Sequence, residues 1–211
     1  MAQDEAALLQ RFVTTGDAAA FSEIVRRYAS LVYSACMRIL ADREGAADAT
    51  QETFFQLLKK ANTITGSVPA WLHRVATGKA VDRIRAESAR ERAEIRYVDS
   101  KARRAANWED LSPYVDQALD ALDDTSRALL IEYFFKGRSV TDIAAEREIS
   151  RPTASRRLKA AIVRLHGQLR KRGIVVAAAT IVTLLSENAA QAAPAAVLRE
   201  LAKMALAGAK L

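Results

Sequence analysis

The stretch Ser139–Arg172, SVTDIAAEREISRPTASRRLKAAIVRLHGQLRKR, leaves the chain few ways to fold. Ser139 with Asp142 three residues on is a capping box, which predicts a helix starting at Val140. That helix buries Val140, Ile143 and Ala144, and Ile149 closes the turn after it. Ser150 then caps a second helix, with Pro152 in its first turn, where a missing N–H costs nothing. Along it Ala154, Leu158, Ala161, Ile162, Leu165 and Leu169 recur at helical spacing and form a buried stripe, leaving Ser155, Arg156 and Lys159 on an outward face. Between Arg151 and Arg172 there are eight Arg or Lys and no Asp or Glu. A charge run alone is often only a solvated face. A capped helix–turn–helix whose second helix carries all the positive charge points instead to a reader of the DNA major groove.

The charge distribution agrees with this. The net charge of +7 divides into +2 over residues 1–85, 0 over 86–112, +4 over 113–172 and +1 over 173–211. The excess is concentrated where a phosphate-binding surface needs it. Cys36, between Ala35 and Met37, reads as a buried small hydrophobe. With no second cysteine there is no intrachain disulfide, and a cytoplasmic setting is expected. His73 and His166 lack ligand-like spacing, so neither metal nor cofactor is expected. The N-terminus, MAQDEAALLQ, is acidic and has no signal-peptide core.

The remainder reads as all-α. Residues 4–60 carry a short helix around Leu8, Leu9, Phe12 and Val13 that ends near Gly16. A long helix follows, with Phe21, Ile24, Val25, Tyr28, Leu31, Val32, Ala35 and Ile39 on one wide stripe. A third helix, REGAADATQETFFQLLKK, has two faces: Ala47, Thr50, Phe54, Leu57 and Leu58 inward, Asp48, Gln51, Glu52 and Phe55 together on the other. Phe55 is either an ordinary exposed apolar residue or an interface anchor framed by hydrogen-bonding groups. Asn62–Val68 is a loop, and Pro69 starts the next helix, with Leu72, Val75 and Ala76 inside and Arg74, Thr77 and Arg85 outward. Trp71 is open to two readings, core or base-stacking.

Residues 89–112 read as a linker of mixed charge. Ser112 and Pro113 open a helix with Val115, Ala118, Leu119 and Leu122 inside. Asp123–Asp124 cap the next, which buries Leu129, Leu130, Tyr133 and Phe134 and ends at Gly137. With the helix–turn–helix these make a small second domain over 113–173, after a first domain over 1–88. Residues 174–211 hold thirteen alanines and five charged residues. Ile174–Leu185 lacks charge but is well short of the roughly twenty residues that span a bilayer. Two short sticky helices are expected, which pack on residues 1–172, take a regulatory partner, or form a loose extension.

The order FSEIVRRYASLVYSACMRIL, AADATQETFFQLL, AWLHRVATGKAVDRIR resembles region 2 of bacterial sigma-70 family sigma factors of the extracytoplasmic-function group. ALDALDDTSRALLIEYFFKGRSVTDIAAEREISRPTASRRLKAAIVRL looks like their region 4. The resemblance covers about 20–88 and 116–172. It implies an alternative sigma factor, not an enzyme, that binds core RNA polymerase through the β′ coiled coil and β flap and reads promoter DNA; an anti-sigma protein is a further partner it raises. On that implication Asp48, Gln51, Glu52 and Phe55 meet the β′ coiled coil. Asn62, Ser67, Trp71, Arg74, Thr77 and Lys79 are the candidates for the −10 element, whose extruded bases need a loop pocket and a basic helix. For the −35 duplex, Arg151, Thr153, Ser155, Arg156 and Lys159 are candidates for base edges, and Arg157 and Arg164 for phosphates.

Two departures from the family pattern stand out. Gly78 lies where many members carry an Asn implicated in −10 contacts, and the turn has Arg151–Pro152 where a small residue and Gly are frequent. The runner-up is a free-standing dimeric helix–turn–helix regulator with residues 1–85 as its dimerisation or ligand domain; it requires half-sites one helical turn apart. No carboxylate pair, nucleophile–base pair or glycine-rich phosphate loop argues for catalysis.

Overall fold

The computed structural model describes residues 2–91, 103–104, 107–188 and 193–208. Helix α1 (Ala2–Thr15) stops at Gly16, whose φ of 64° suits a residue without a Cβ. Asp17 then caps α2 (Ala18–Leu40) by accepting from the amides of Ala19 and Ala20. Helix α2 is the hub of the fold, buried from Ala20 to Ile39 because α1, α3, α4 and later helices all pack on it. Ala41, in the left-handed region at φ 53°, ends it, and Asp42 caps α3 (Arg43–Lys60). A 3-10 turn (Ala61–Thr63) and a loop lead into α4 (Val68–Glu91).

The second group is α5 (Trp108–Asp120), α6 (Asp124–Leu130), a π turn (Ile131–Phe135), α7 (Val140–Glu146) and α8 (Arg151–Lys171). The expected opening at Ser112–Pro113 is corrected: α5 starts at Trp108, capped by Asn107, whose Oδ1 accepts from the Asp110 amide at 2.9 Å. Pro113 sits inside the helix. It removes only one backbone donor, and the added turn buries Leu111 completely, which offsets that loss. The π turn was not foreseen from periodicity, which reads it as ordinary helix. Tyr133 and Val140, both expected inside, are only partly buried, and Val13 is exposed. Both caps of the helix–turn–helix form as expected: the reciprocal Ser139–Asp142 box, and Ser150 accepting from the Thr153 amide.

Most of the expected linker lies outside the described residues. Its Arg103–Arg104 (β1) pairs in parallel with Ile174–Val175 (β2) just after α8, a two-residue ladder and the only strand pairing among the described residues. Helix α9 (Ala178–Asn188) packs on α8 through buried Ile181 and Leu185. Helix α10 (Ala195–Gly208) returns to α2 and α3, burying Val197, Leu201 and Ala205, while the Ala193 amide donates to Ser30 Oγ at 3.3 Å. The alanine-rich tail thus finds its cover on the chain itself. Among the described residues no helix is long and apolar enough to cross a membrane.

Two polar networks fasten the groups together. Arg38 of α2 donates from Nε and Nη2 to Asp116 of α5 at 2.6 and 2.7 Å, and His73 of α4 donates from Nε2 to Asp116 Oδ1 at 2.8 Å. Asp116 and His73 are fully buried and Arg38 is nearly so. Burial alone would raise the Asp116 carboxyl, but the Arg38 charge and the hydrogen bonds from Arg38 and His73 outweigh it and hold it below the usual carboxylate range. Nearer the N-terminus, Lys136 reaches Glu5 at 2.5 Å, and the Tyr28 hydroxyl donates to the same carboxylate.

Candidate nucleic-acid interface

Helix α8 displays its basic face because its apolar stripe is used up. Ala154, Leu158, Ala161, Leu165 and Leu169 are buried against α5, α6 and α7, with Ile162 partly so. Arg156, Arg157 and Lys159 then project into solvent, with Arg151 at the N-terminal end and Ser155 half-buried between them. None of these four cations has an ion-pair partner among the described residues. Two of the residues expected at DNA are occupied differently. Thr153 Oγ1 lies 2.9 Å from Ser150 Oγ and belongs to the cap. Arg164 donates to Asp123 Oδ2 at 2.9 Å and Ser126 Oγ at 2.7 Å, tying α8 to the start of α6.

The other basic region borders an open cleft of ≈ 810 Å³ between α1, the loop after α3, and the α6–α7 region. Asn62, Ser67, Trp71 and Arg74 all line it, and so does Asp124. Asn62 is exposed, while Trp71 is partly buried, packing against the core and lining the cleft. Arg74 donates to Asp124 Oδ1 at 2.7 Å, and its Nε stands 3.5 Å from Asp120 Oδ1.

Thr77 and Lys79 are not in this group. Thr77, expected outward, is 2% exposed, one turn beyond His73 on the side of α4 that faces the protein, and its hydroxyl has no hydrogen-bond partner among the described residues. Lys79 is rotated about 140° from Arg74 around the helix and pairs with Glu52 of α3 at 3.1 Å. The sequence pattern hides this because α4 is enclosed on several sides, so a small polar residue at an outward-looking position still meets protein.

On α3, exposed Glu52 and Phe55 share the outer face with partly buried Asp48 and Gln51. Their charges are already offset: Arg83 reaches Asp48 at 2.9 Å, as Lys79 reaches Glu52. Phe55 is 43% exposed, with the Lys59 ammonium 4.2 Å from its ring centre. An exposed aromatic ring surrounded by satisfied charges can be desolvated at modest cost. On the inner side, Cys36 is buried and its thiol is pushed up to about 12 by that burial, which leaves it inert at neutral pH.

The residues that sequence reasoning missed are Arg38, Asp116, Asp120, Asp124 and Arg127. Arg127 is 1% exposed and donates to the carbonyl oxygens of Leu119, Asp120 and Leu122, closing the turn between α5 and α6. One signal was available: Asp116, Asp120 and Asp124 recur at four-residue spacing, although the helix breaks between the last two, Asp120 ending α5 and Asp124 opening α6.

Comparison with known proteins agrees with the division into two groups. The family description Sigma-70 region 2 matches residues 24–90, and Sigma-70, region 4 matches residues 118–166. The chain is 31% identical over 172 residues to the ECF RNA polymerase sigma factor SigK of Mycobacterium tuberculosis and of Mycobacterium bovis, covering 77% of this chain and 91% of theirs. It is 31% identical over 145 residues to the ECF RNA polymerase sigma factor SigE of Mycolicibacterium smegmatis, covering 64% of this chain and 56% of that one. Among solved structures, CnrH in complex with the cytosolic domain of CnrY is 20% identical with a TM-score of 0.38, covering 80% of this chain and 98% of that one.

Proposed function

The chain belongs to the extracytoplasmic-function group of sigma-70 RNA polymerase sigma factors, and from that premise we propose how its surfaces divide the work. It is an alternative sigma factor: it joins core RNA polymerase and directs initiation at particular promoters, acting by binding. The free-standing regulator is not favoured, since residues 24–90, needed there as a dimerisation or ligand domain, match sigma region 2.

In our assignment α8 enters the major groove of the −35 duplex. Arg151, Ser155, Arg156 and Lys159 meet base edges, and Arg157 meets phosphate. The observation that carries this is the row of cations on α8 with no ion-pair partner among the described residues, set on a helix capped by Ser150 and preceded by α7 with its own Ser139–Asp142 box. Thr153 and Arg164 hold the helix in position for that contact. The cleft bordered by Asn62, Ser67, Trp71 and Arg74 takes an unstacked base and the adjoining backbone of the −10 strand. The face of Asp48, Gln51, Glu52 and Phe55 docks on the β′ coiled coil, with Phe55 as its anchor, and the helix–turn–helix domain meets the β flap. The work is done in the cytoplasm, and an anti-sigma protein is proposed as a further partner, to be sought by pull-down with the full chain.

The test is transcription in vitro with purified chain and core polymerase on fragmented genomic DNA, followed by mapping of transcript starts. Starts sharing −10 and −35 sequences at fixed spacing are expected. Core polymerase giving no promoter-dependent transcript with this chain would overturn the assignment.

A further inference from the structure

The cover that α10 finds on the chain is one-sided. Its buried stripe, Val197, Leu201 and Ala205, packs against α2 and α3. Beside that stripe runs a second apolar line, Ala195, Leu198, Ala202 and Leu206, gathered within about 80° of the helix circumference. All four are exposed, Leu198 at 39% and Leu206 at 66%. The charged residues Arg199, Glu200 and Lys203 occupy the remaining side. Seven large apolar side chains are exposed among the described residues, and three of them, Phe55, Leu198 and Leu206, stand on the packed pair α3 and α10. Scattered exposed apolar residues are ordinary, but a line of them on adjoining elements marks a contact surface.

Helix α4 holds one flank of α3, where Arg83 reaches Asp48 and Lys79 reaches Glu52. The flank left to α10 is that of Ala47, Gln51 and Leu58, all partly buried. Phe55 lies about 40° further round α3 than Gln51, between that flank and the two acids. A helix acting as a cover would bury the Phe55 ring. Instead Phe55 is 43% exposed, and Glu52 is exposed as well. We propose that the Leu198–Leu206 line of α10 is a second contact for core RNA polymerase, continuing the docking face anchored by Phe55.

The chemistry of the line selects the shape of its partner. Ala195 and Ala202 leave room on either side of Leu198, and helices approach more closely where the contact residues are small. A helical ridge with an apolar strip, as a coiled coil presents, fits that surface. Val197, Leu201 and Ala205 hold α10 to the fold while Leu198 and Leu206 face the polymerase. This proposal rests on the assignment of Asp48, Gln51, Glu52 and Phe55 to the β′ coiled coil, and the test below separates the two.

Binding of the full chain to immobilised core polymerase is measured by biolayer interferometry, with Leu198→Ser and Leu206→Ser combined. Affinity should fall roughly tenfold, as for truncated interface anchors, with the melting temperature unchanged because both side chains are exposed. The control Val175→Ser removes an apolar side chain that is 52% exposed on β2 and should leave affinity unchanged. A second measurement removes no fold contact: Leu206→p-benzoylphenylalanine, irradiated in the holoenzyme, should crosslink to the β′ subunit. Unchanged or tighter binding of the double variant, an equal loss with Val175→Ser, or a crosslink to a second copy of this chain in place of β′ overturns the proposal. Phe55→Ala separates the two assignments. If it weakens binding and the leucine variant does not, the α3 face stands and only the α10 contact falls. If neither weakens binding, both fall. A loss with the leucine variant alone also overturns the proposal, since α10 would then not continue a face anchored by Phe55.

Discussion

Arg156 on α8 and Arg74 on α4 are both exposed arginines assigned to promoter DNA, yet they sit in opposite circumstances. Arg156 projects from a helix whose inner side is packed and whose ends are capped, and no acid is paired with it among the described residues. Arg74 is held by Asp124 and faced by Asp120, on a helix enclosed by α2, α3 and α5. The difference shows that a basic helix is only half of a DNA-binding surface. The other half is what the remainder of the chain places against it, and in this molecule the second domain supplies carboxylates to one of the two readers only.

Experiments can strain that comparison at several points. The largest effect belongs to Arg38→Ala, which leaves the buried Asp116 charge between the two helical groups with only the His73 hydrogen bond and should cost about 3–5 kcal/mol in urea denaturation. A loss below about 1 kcal/mol, the range of an exposed pair, would show that the groups are not fastened in solution and would dissolve the contrast. The same network fixes a pH dependence. Because the Asp116 carboxyl is lower in the folded chain than in the unfolded one, its contribution is fully present above the ordinary carboxylate value. It is lost as the pH falls through the folded value. Stability followed down from neutral pH should therefore drop in acid, and Asp116→Asn should flatten that part of the curve.

Phe55→Ala comes next, with an expected loss of about 2 kcal/mol or more in core polymerase binding and little change in melting temperature. Unchanged binding would remove Phe55 as an anchor. Arg156→Ala should cost about 1–3 kcal/mol on the cognate −35 duplex. Equal loss on every duplex would make Arg156 a phosphate contact and bring it closer to Arg74 in kind. The smallest effect is at Gly78, where a Cβ would meet nothing within 4 Å. Gly78→Ala should stabilise the fold by roughly 0.5–1 kcal/mol through helix propensity. With that space open, Gly78→Asn should fold normally and shift −10 preference in transcription without touching −35 preference.

Much of the architecture was legible before any coordinates. The caps expected at Asp123, Ser139 and Ser150 all sit where their side chains close a helix start. The alternation of apolar residues placed the stripes of α2 and α8. The start of α5 was misplaced because Pro113 looks like a boundary, while the gain from burying Leu111 depends on neighbours distant in sequence. Of the residues expected at the −10 strand, Asn62, Ser67, Trp71 and Arg74 do gather around one cleft. Thr77 and Lys79 leave it, since helical phase turns one into the protein and the other toward α3.

What the sequence determined by itself is therefore local and periodic: the helices, their caps, the exposed basic face of α8, and the family to which the ordered blocks belong. Those follow from interactions between residues a few positions apart, which a linear text records. Only the tertiary structure decided that Arg38, His73 and Asp116 form one buried network and that the tail helices cover α8, α2 and α3. It also decided that Arg74 meets carboxylates where Arg156 meets water. Each of those pairings joins residues tens of positions apart, and their partners are set by packing, which leaves no periodic mark on the chain.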